Sequence, residues 1–275
     1  MSTKPEITHA FIGATGGCMN ACLTHTILAG YHTAAIARNP SKLQSLLLSQ
    51  GIPQSTLDSN LTIIPGDATD IEVVKRLLIP ASNNGRMVSN VMSGLGSTPK
   101  FQASVTKPVT LDNPHVCENT AKTLVAAIEQ LQGAVAEDVE KRNQRRPLVT
   151  IISTTGISDG PEDVPFGMRT MYHYVLGTAH EDKKKMEQAV WSKIDKSDPS
   201  RGMLRGAIVV RCTLFGGGDH LITSGKGWRA LKVGTEREPT LGFSIQRADI
   251  GEWIFEEVVK TGGEKWVNEK VTLTA

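Results

Sequence analysis

Short apolar runs and helical stripes alternate along this chain from one end to the other. Runs at 9–12, 33–37 (TAAIA), 61–65 (LTIIP), 87–92, 148–152 (LVTII), 205–211 (RGAIVVR) and 271–274 (VTLT) predict seven strands. Between them, helical spacing is read after Gly17, in KLQSLLLS from Lys42 and in IEVVKRLLI from Ile71. It recurs through Cys117, Ala121, Leu124, Val125, Ile128 and Leu131, over a long span from roughly 170 to 194, and in IGEWIFEEVV from Ile250. LVTII is apolar apart from Thr150, as a strand covered on both faces should be. Regular alternation with no linker predicts one doubly wound α/β domain over residues 1–275, built on a mostly parallel sheet. Ser41 is expected to cap the second helix, Thr69 or Asp70 the third and Asp249 the last. Segments at about 97–113, 157–169 and 213–246 lack a period and are expected to be loops over the strand ends; 213–246 includes Gly217, Gly218 and Asp219. VEKRNQRR at 139–146 reads as a charged surface loop.

The first strand runs straight into glycines: HAFIGATGGCMNACL, 9–23. Strand, glycine turn, helix is the layout of a dinucleotide-binding unit. Gly13 permits the tight turn, and Gly16 lets the backbone approach a pyrophosphate. Thr15, Gly17, Cys18 and Met19 carry the first helical N–H groups toward it. Met19 stands where a third glycine is usual, so helix and strand are expected slightly further apart. An NAD-binding unit places an acid at the end of the second strand to hold the ribose 2′-hydroxyl. Here that end carries Arg38 and Lys42, which suit a 2′-phosphate and so NADPH; the alternative is a plain basic loop at a helix start. Asp67, with Ala68, is expected near the adenine amino group. Gly94, Leu95 and Gly96, then Ser153 and Thr154, then Cys212 and Thr213, close the later strands. In doubly wound sheets ligands bind at those carboxyl ends.

Composition narrows the class. The formal charge is +2 over 275 residues, so nothing points to nucleic acid or a membrane surface. No apolar run approaches a bilayer span, and MSTKPEITHA lacks the core of a signal peptide. The four cysteines form no C-x-x-C, so neither a zinc site nor a disulfide framework is indicated. The expectation is a cytoplasmic protein with reduced thiols, no metal and a small-molecule substrate, acting as a monomer or small homo-oligomer.

GATGG, ARNPSKL, GDATD, SGLG, STTG, H-x-x-K-x-x-x-E and VVRCTLF occur in that order. Together they resemble the atypical short-chain dehydrogenase/reductases, in the NmrA-like and biliverdin/flavin-reductase-like branch, across nearly the whole chain. The resemblance implies a Rossmann fold with NADPH preference, and tailoring of secondary metabolites is one home for such enzymes. The chain departs from the branch at Met19 and at Cys212, where a proline often follows the strand arginine. Typical members of the wider family use Tyr-x-x-x-Lys, the tyrosine giving a proton and the lysine lowering its pKa. That pair is missing: Tyr172 is followed four residues on by Leu176, and Tyr174 by Thr178.

Lys183 lies within the stripe Leu176, Ala179, Met186, Val190 and Ile194 rather than beside Lys184 and Lys185. An inward lysine needs a partner or a ligand. One reading puts it at the nicotinamide ribose or the substrate carbonyl; the other pairs it with Glu187 one turn on. His180 is a candidate acid or a structural histidine. Ser153 is placed where the family sets a substrate-polarising hydroxyl. Tyr172, with Phe166, Met168, Met171 and Tyr174, either walls a pocket or packs the core. The leading reading is an NADPH-dependent reductase of a small, cyclic organic substrate. The rivals are a non-catalytic NADP sensor that binds a protein, and a redox-neutral isomerase or cyclase on the same fold.

Overall fold

In the computed structural model, described over residues 6–101, 109–135, 138–195, 197–198, 201–216 and 222–275, the apolar runs pair into one eight-stranded sheet. In chain order the strands are β1 (His9–Ile12), β2 (Thr33–Ala37), β3 (Leu61–Pro65), β4 (Asn90–Ser93), β5 (Pro99–Phe101), β6 (Val109–Leu111), β7 (Leu148–Thr154), β8 (Gly206–Cys212), β9 (Leu214–Gly216), β10 (Lys232–Thr235), β11 (Ser244–Gln246) and β12 (Glu269–Thr274). The α-helices are α1 (Gly17–Leu28), α2 (Pro40–Ser49), α3 (Gln54–Asn60), α4 (Ile71–Leu78), α5 (Val116–Gly133), α6 (Val139–Gln144), α7 (Arg169–Trp191) and α8 (Arg247–Ile254). The order across the sheet is β10-β12-β8-β7-β4-β1-β2-β3, and every neighbouring pair is parallel except β10 with β12. The chain leaves β1 toward β2 on one side and returns to β4 on the other, so a crevice opens between the ends of β1 and β4.

Two apolar cores flank the sheet. Ile208, Val210 and Cys212 of β8 face the layer that holds α1 and α8. Ala207 and Val209 face the layer of α4, α5 and α7. All seven residues of β8 are buried, Arg211 among them. α4 buries Val73, Val74, Leu77 and Leu78 along one side, each large side chain contributing about 2 kcal/mol of transfer free energy. α1 and α8 touch closely because residue 251 is glycine: a Cβ there would stand 2.5 Å from the Ala21 Cβ. Met19 is accommodated in a related way. Its side chain is buried over Gly94, where an added Cβ would come within 2.4 Å of Met19 Cγ, so Gly94 supplies the room that position 19 does not.

Several local expectations are corrected. Asn39, not Ser41, caps α2, accepting from Lys42 N at 3.0 Å, and Pro40 opens the helix as a residue without an N–H can. Asp70 caps α4 through the N–H groups of Glu72 and Val73. Asp249 does not cap α8, which begins at Arg247; it is buried and accepts from Gly227 N at 2.8 Å. Residues 139–144 form a short helix rather than a loop. β4 is shifted to Asn90–Ser93, and β7 runs on through Ser153 and Thr154. The aperiodic segments contain an antiparallel β5–β6 hairpin and a parallel β9–β11 ribbon. Residues 102–108 and 217–221, which include Gly217, Gly218 and Asp219, lie outside the described residues. Among the described residues no helix is long and apolar enough to cross a membrane.

Candidate active site

The glycine turn forms one end of the site. Gly16 N donates to Gly13 O at 2.9 Å, and Asn20 Nδ2 to Ala14 O at 3.0 Å. Gly13 holds φ +80°, and a Cβ there would meet Gly94 O at 2.9 Å. A side chain at 13 therefore collides with protein backbone as well as entering the crevice. α1 has no side-chain cap, which leaves its first N–H groups to water or a ligand anion. The side chains of Cys18 and Met19 are buried in the core, so only their backbone can face such a ligand; Thr15, Gly16 and Gly17 are accessible. At the ends of β2 and β3, Arg38, Lys42 and Asp67 are exposed. Neither the Arg38 nor the Lys42 side chain has a hydrogen-bond or ion-pair partner among the described residues. Asp67 folds back on its own turn: its Oδ1 accepts from Thr69 N at 2.9 Å and Thr69 Oγ1 at 2.7 Å. Those bonds, with Arg38 nearby, hold its pKa below the usual carboxylate value. Ala68 is buried behind it.

The other end is a cavity of about 220 Å³ between α7, β6 and the ends of β7 and β8. Gly96, Ser97, Val109, Thr110, Leu111, Cys117, Ser153, Thr154, Tyr172, Leu176, Ala179, His180, Lys183, Thr213, Leu214 and Phe215 are among the residues on its wall. Lys183 Nζ donates to Leu95 O and to Ile152 O, each at 2.8 Å. It thereby clips the ends of β4 and β7 together, and of the two readings of Lys183 the pairing with Glu187 does not form. One turn earlier on the same face, where a Tyr-x-x-x-Lys pair would carry its tyrosine, stands Ala179. Leu95 O also accepts from Cys117 Sγ at 3.3 Å, and burial pushes the Cys117 thiol up to about 11. Asp182 is buried and accepts from the N–H groups of Cys117 and Glu118, so α7 caps α5.

Tyr172 is buried, with its hydroxyl 3.0 Å from Thr155 Oγ1 and 3.3 Å from Thr154 Oγ1; burial raises its pKa. Its ring lies 5.2 Å from that of His180. Gly156, at φ +85°, makes room for both rings: a Cβ there would reach either at 2.9 Å. Its N–H donates to the buried Asp163 at 2.7 Å, and burial raises the Asp163 pKa. Of the aromatic and Met residues expected on the wall, Tyr172 is there; Phe166 is 85% exposed and Tyr174 half-exposed, and the Met171 side chain lies outside the description. Segment 157–168 serves a second cleft of about 310 Å³, through Ile157 and Asp159.

Sequence reasoning missed what lies behind the cavity. Ser153 Oγ donates to Glu187 Oε1 at 2.6 Å. Glu187 also accepts from Arg211 Nε at 3.0 Å and Nη2 at 2.7 Å. Arg211 pairs further with Glu236 at 2.9 Å, and Glu236 with Lys270 at 2.9 Å. Burial opposes the Arg211 charge, but the Glu187 and Glu236 carboxylates outweigh it and hold its pKa above the ordinary value. The available signal was Arg211 itself, a cation inside the apolar run RGAIVVR.

A doubly wound sheet with an uncapped glycine turn at its switch point and a walled cavity at the neighbouring strand ends defines a dinucleotide-binding oxidoreductase frame. No protein-family model matches the sequence. The chain is 43% identical over 288 residues to Oxidase pynE of Aspergillus niger, covering 99% of both. It is 38% identical over 274 residues to Reductase pytE of Aspergillus terreus, again covering 99% of both. In fold it is similar to a short-chain dehydrogenase/reductase from Veillonella parvula solved in complex with NADP (TM-score 0.62, 12% identity, 98% of this chain and 95% of that one). It is also similar to ChuY, an anaerobilin reductase of Escherichia coli O157:H7 (TM-score 0.57, 12% identity, 96% and 95% covered). The chain belongs to the family of Oxidase pynE and Reductase pytE, and its fold is the one seen in the short-chain dehydrogenase/reductase structures.

Proposed function

We propose that the protein is an NADPH-dependent reductase of a small, cyclic organic substrate, of the kind tailored in fungal secondary metabolism. One observation carries this reading: the uncapped turn and helix α1, the open Arg38 and Lys42, and the Lys183-floored cavity lie along a single row of strand ends. The residues present fit the cofactor. Gly16, Gly17 and the α1 N–H groups would hold the pyrophosphate. Arg38 and Lys42 would hold the 2′-phosphate, and Asp67 and Ala68 would border the adenine. Gly94, Leu95, Gly96, Thr154, Cys212 and Thr213 would line its path. Bound there, NADPH supplies a hydride.

The chain's own residues would do the rest. The apolar wall from Leu111, Leu176, Ala179, Leu214 and Phe215 excludes water and suits an uncharged ring. Lys183, having used two of its three N–H groups on the carbonyls of Leu95 and Ile152, keeps one for a ribose hydroxyl or a developing oxyanion. Tyr172 and His180, with Thr154 and Thr155, would supply the proton that a Tyr-x-x-x-Lys pair supplies elsewhere. Calorimetric titration with NADPH, followed by a panel of cyclic enones and ketones monitored for NADPH oxidation, tests the reading. Tight NADPH binding with turnover on at least one cyclic carbonyl compound is expected. A folded protein that binds no NADPH would overturn it.

A further inference from the structure

Behind the cavity wall, the hydrogen-bond polarity of Ser153 is set by its partner. The Glu187 carboxylate takes two N–H groups from the Arg211 guanidinium, one on each oxygen, as an ion pair does. An ionised carboxylate has no proton to give, so in the 2.6 Å contact with Glu187 the Ser153 hydroxyl is the donor. A serine has one such proton. Ser153 Oγ is then left with lone pairs only, on a residue at the cavity wall.

We propose that Ser153 acts toward the substrate as a hydrogen-bond acceptor, and that the site selects a neutral ring carrying a donor, a hydroxyl or ring N–H, beside its carbonyl. The inference rests on the reductase reading given above and deepens it by naming the substrate class. Lys183 sits on the carbonyl of Ile152, the chain neighbour of Ser153, and is the donor for the substrate carbonyl. Ser153, buried at 1% exposure, and Lys183 thus put one acceptor residue and one cationic donor residue on the wall of the same cavity. A lactam or a hydroxy-carbonyl ring satisfies both. A bare ketone satisfies only Lys183. Glu187 is a positioning residue here: it never meets the substrate and acts by orienting the Ser153 proton away from it.

The test is equilibrium titration of the NADP-loaded protein with 2-quinolone, which has an N–H next to its carbonyl, and with N-methyl-2-quinolone, which does not. The wild-type protein should bind the N–H compound at least tenfold more tightly. In Ser153→Ala the ratio should collapse to within about threefold, because steric exclusion of the methyl group would survive that change while a lost acceptor would not. In Glu187→Gln the carboxamide can donate to Ser153 Oγ and turn the hydroxyl proton toward the cavity, so the N–H compound should meet a donor in place of its acceptor and bind more weakly than it does to wild type. A wild-type ratio near one, an unchanged ratio in Ser153→Ala, or no binding of either compound would overturn the proposal. Should Glu187→Gln fail to fold, the Ser153→Ala comparison decides. The readout is binding rather than turnover, so hydride transfer from NADPH to some other ring can stand when this selectivity fails, and the reverse.

Discussion

The two ends of the site treat charge in opposite ways. At the β1–β3 end the polar groups are left open: α1 has no side-chain cap, and Arg38 and Lys42 stand exposed with no hydrogen bond or ion pair from their side chains among the described residues. At the β7–β8 end charge is tied. Lys183 is clipped to two carbonyls, Asp182 to two N–H groups, and Glu187 to Ser153 and Arg211. Water solvates an exposed cation cheaply until a phosphate arrives, so a binding end can wait unpaired. A buried charge has no such reserve and must be satisfied within the fold. The difference shows where recognition is added to the scaffold and where it is built into it.

The comparison breaks hardest at Arg211. Arg211→Met keeps much of the volume and removes the cation, leaving Glu187 buried and Glu236 without one of its cations. Denaturant unfolding should report a loss of about 3–5 kcal/mol. Loss of less than about 1 kcal/mol would mean that the network is not a structural element. Next is the response of the fold to acid. His9, at the start of β1, is buried beside Asn90 and Tyr31, and burial depresses its pKa from 6.5 to about 4. The folded state then binds fewer protons than the unfolded state between those values, so stability is full above pH 6.5 and falls as pH drops toward about 4. The His9 share of that fall is at most about 3 kcal/mol. His25, also depressed by burial, adds in the same direction. Stability measured across this range should slope accordingly, and His9→Phe should flatten the slope even though it leaves Asn90 Nδ2 without His9 while Oδ1 keeps its bond from Arg205.

A third change separates positioning from binding. Lys183→Met should lower turnover roughly 100-fold, the size of a lost electrostatic contact in a transition state. NADPH affinity should change only a few-fold, since most of it resides at the open end. Stability should fall by about 1–2 kcal/mol, because the carbonyls of Leu95 and Ile152 lose a charged donor. Full kcat in the variant would move the role to Ser153, Tyr172 or His180.

How much of this was legible follows the same division. β2 and β3 fall where their apolar runs lie, because each is short and its pairing is with a strand close in sequence. The layout of the open end was readable for the same reason: the glycine turn and the loop that carries Arg38 and Lys42 form from local sequence. Even the Asn39 cap was there to be read, since Pro40 marks the first helical position. The tied end was not. Helical spacing sets Lys183 and Glu187 one turn apart, and from that alone a pair is as good a reading as a ligand contact. What decides against it is Arg211, 24 residues beyond Glu187, and the carbonyl of Leu95, 88 residues before Lys183. No period along α7 encodes partners brought by other strands.

The smallest predicted effect is the most direct probe of the open end. The Arg38 and Lys42 side chains make no hydrogen bond or ion pair among the described residues, so replacing one should leave stability within about 0.5 kcal/mol. If they wait for a 2′-phosphate, the wild-type protein should bind NADPH at least tenfold more tightly than NADH, about 1.4 kcal/mol, a modest demand on one charge-assisted contact. Arg38→Ala should then weaken NADPH and spare NADH, and rising salt should erode the preference, because an exposed phosphate contact is screened. Asp67 supplies the internal control: the hydrogen bonds from Thr69 lower its pKa more than Arg38 does, so the loss of Arg38 should leave its turn intact. Calorimetric titrations of both cofactors with both proteins would read all of this at once. Equal affinities for NADPH and NADH, or equal weakening of both by Arg38→Ala, would show that the exposed cations are only a solvated loop and that the open end earns its specificity elsewhere.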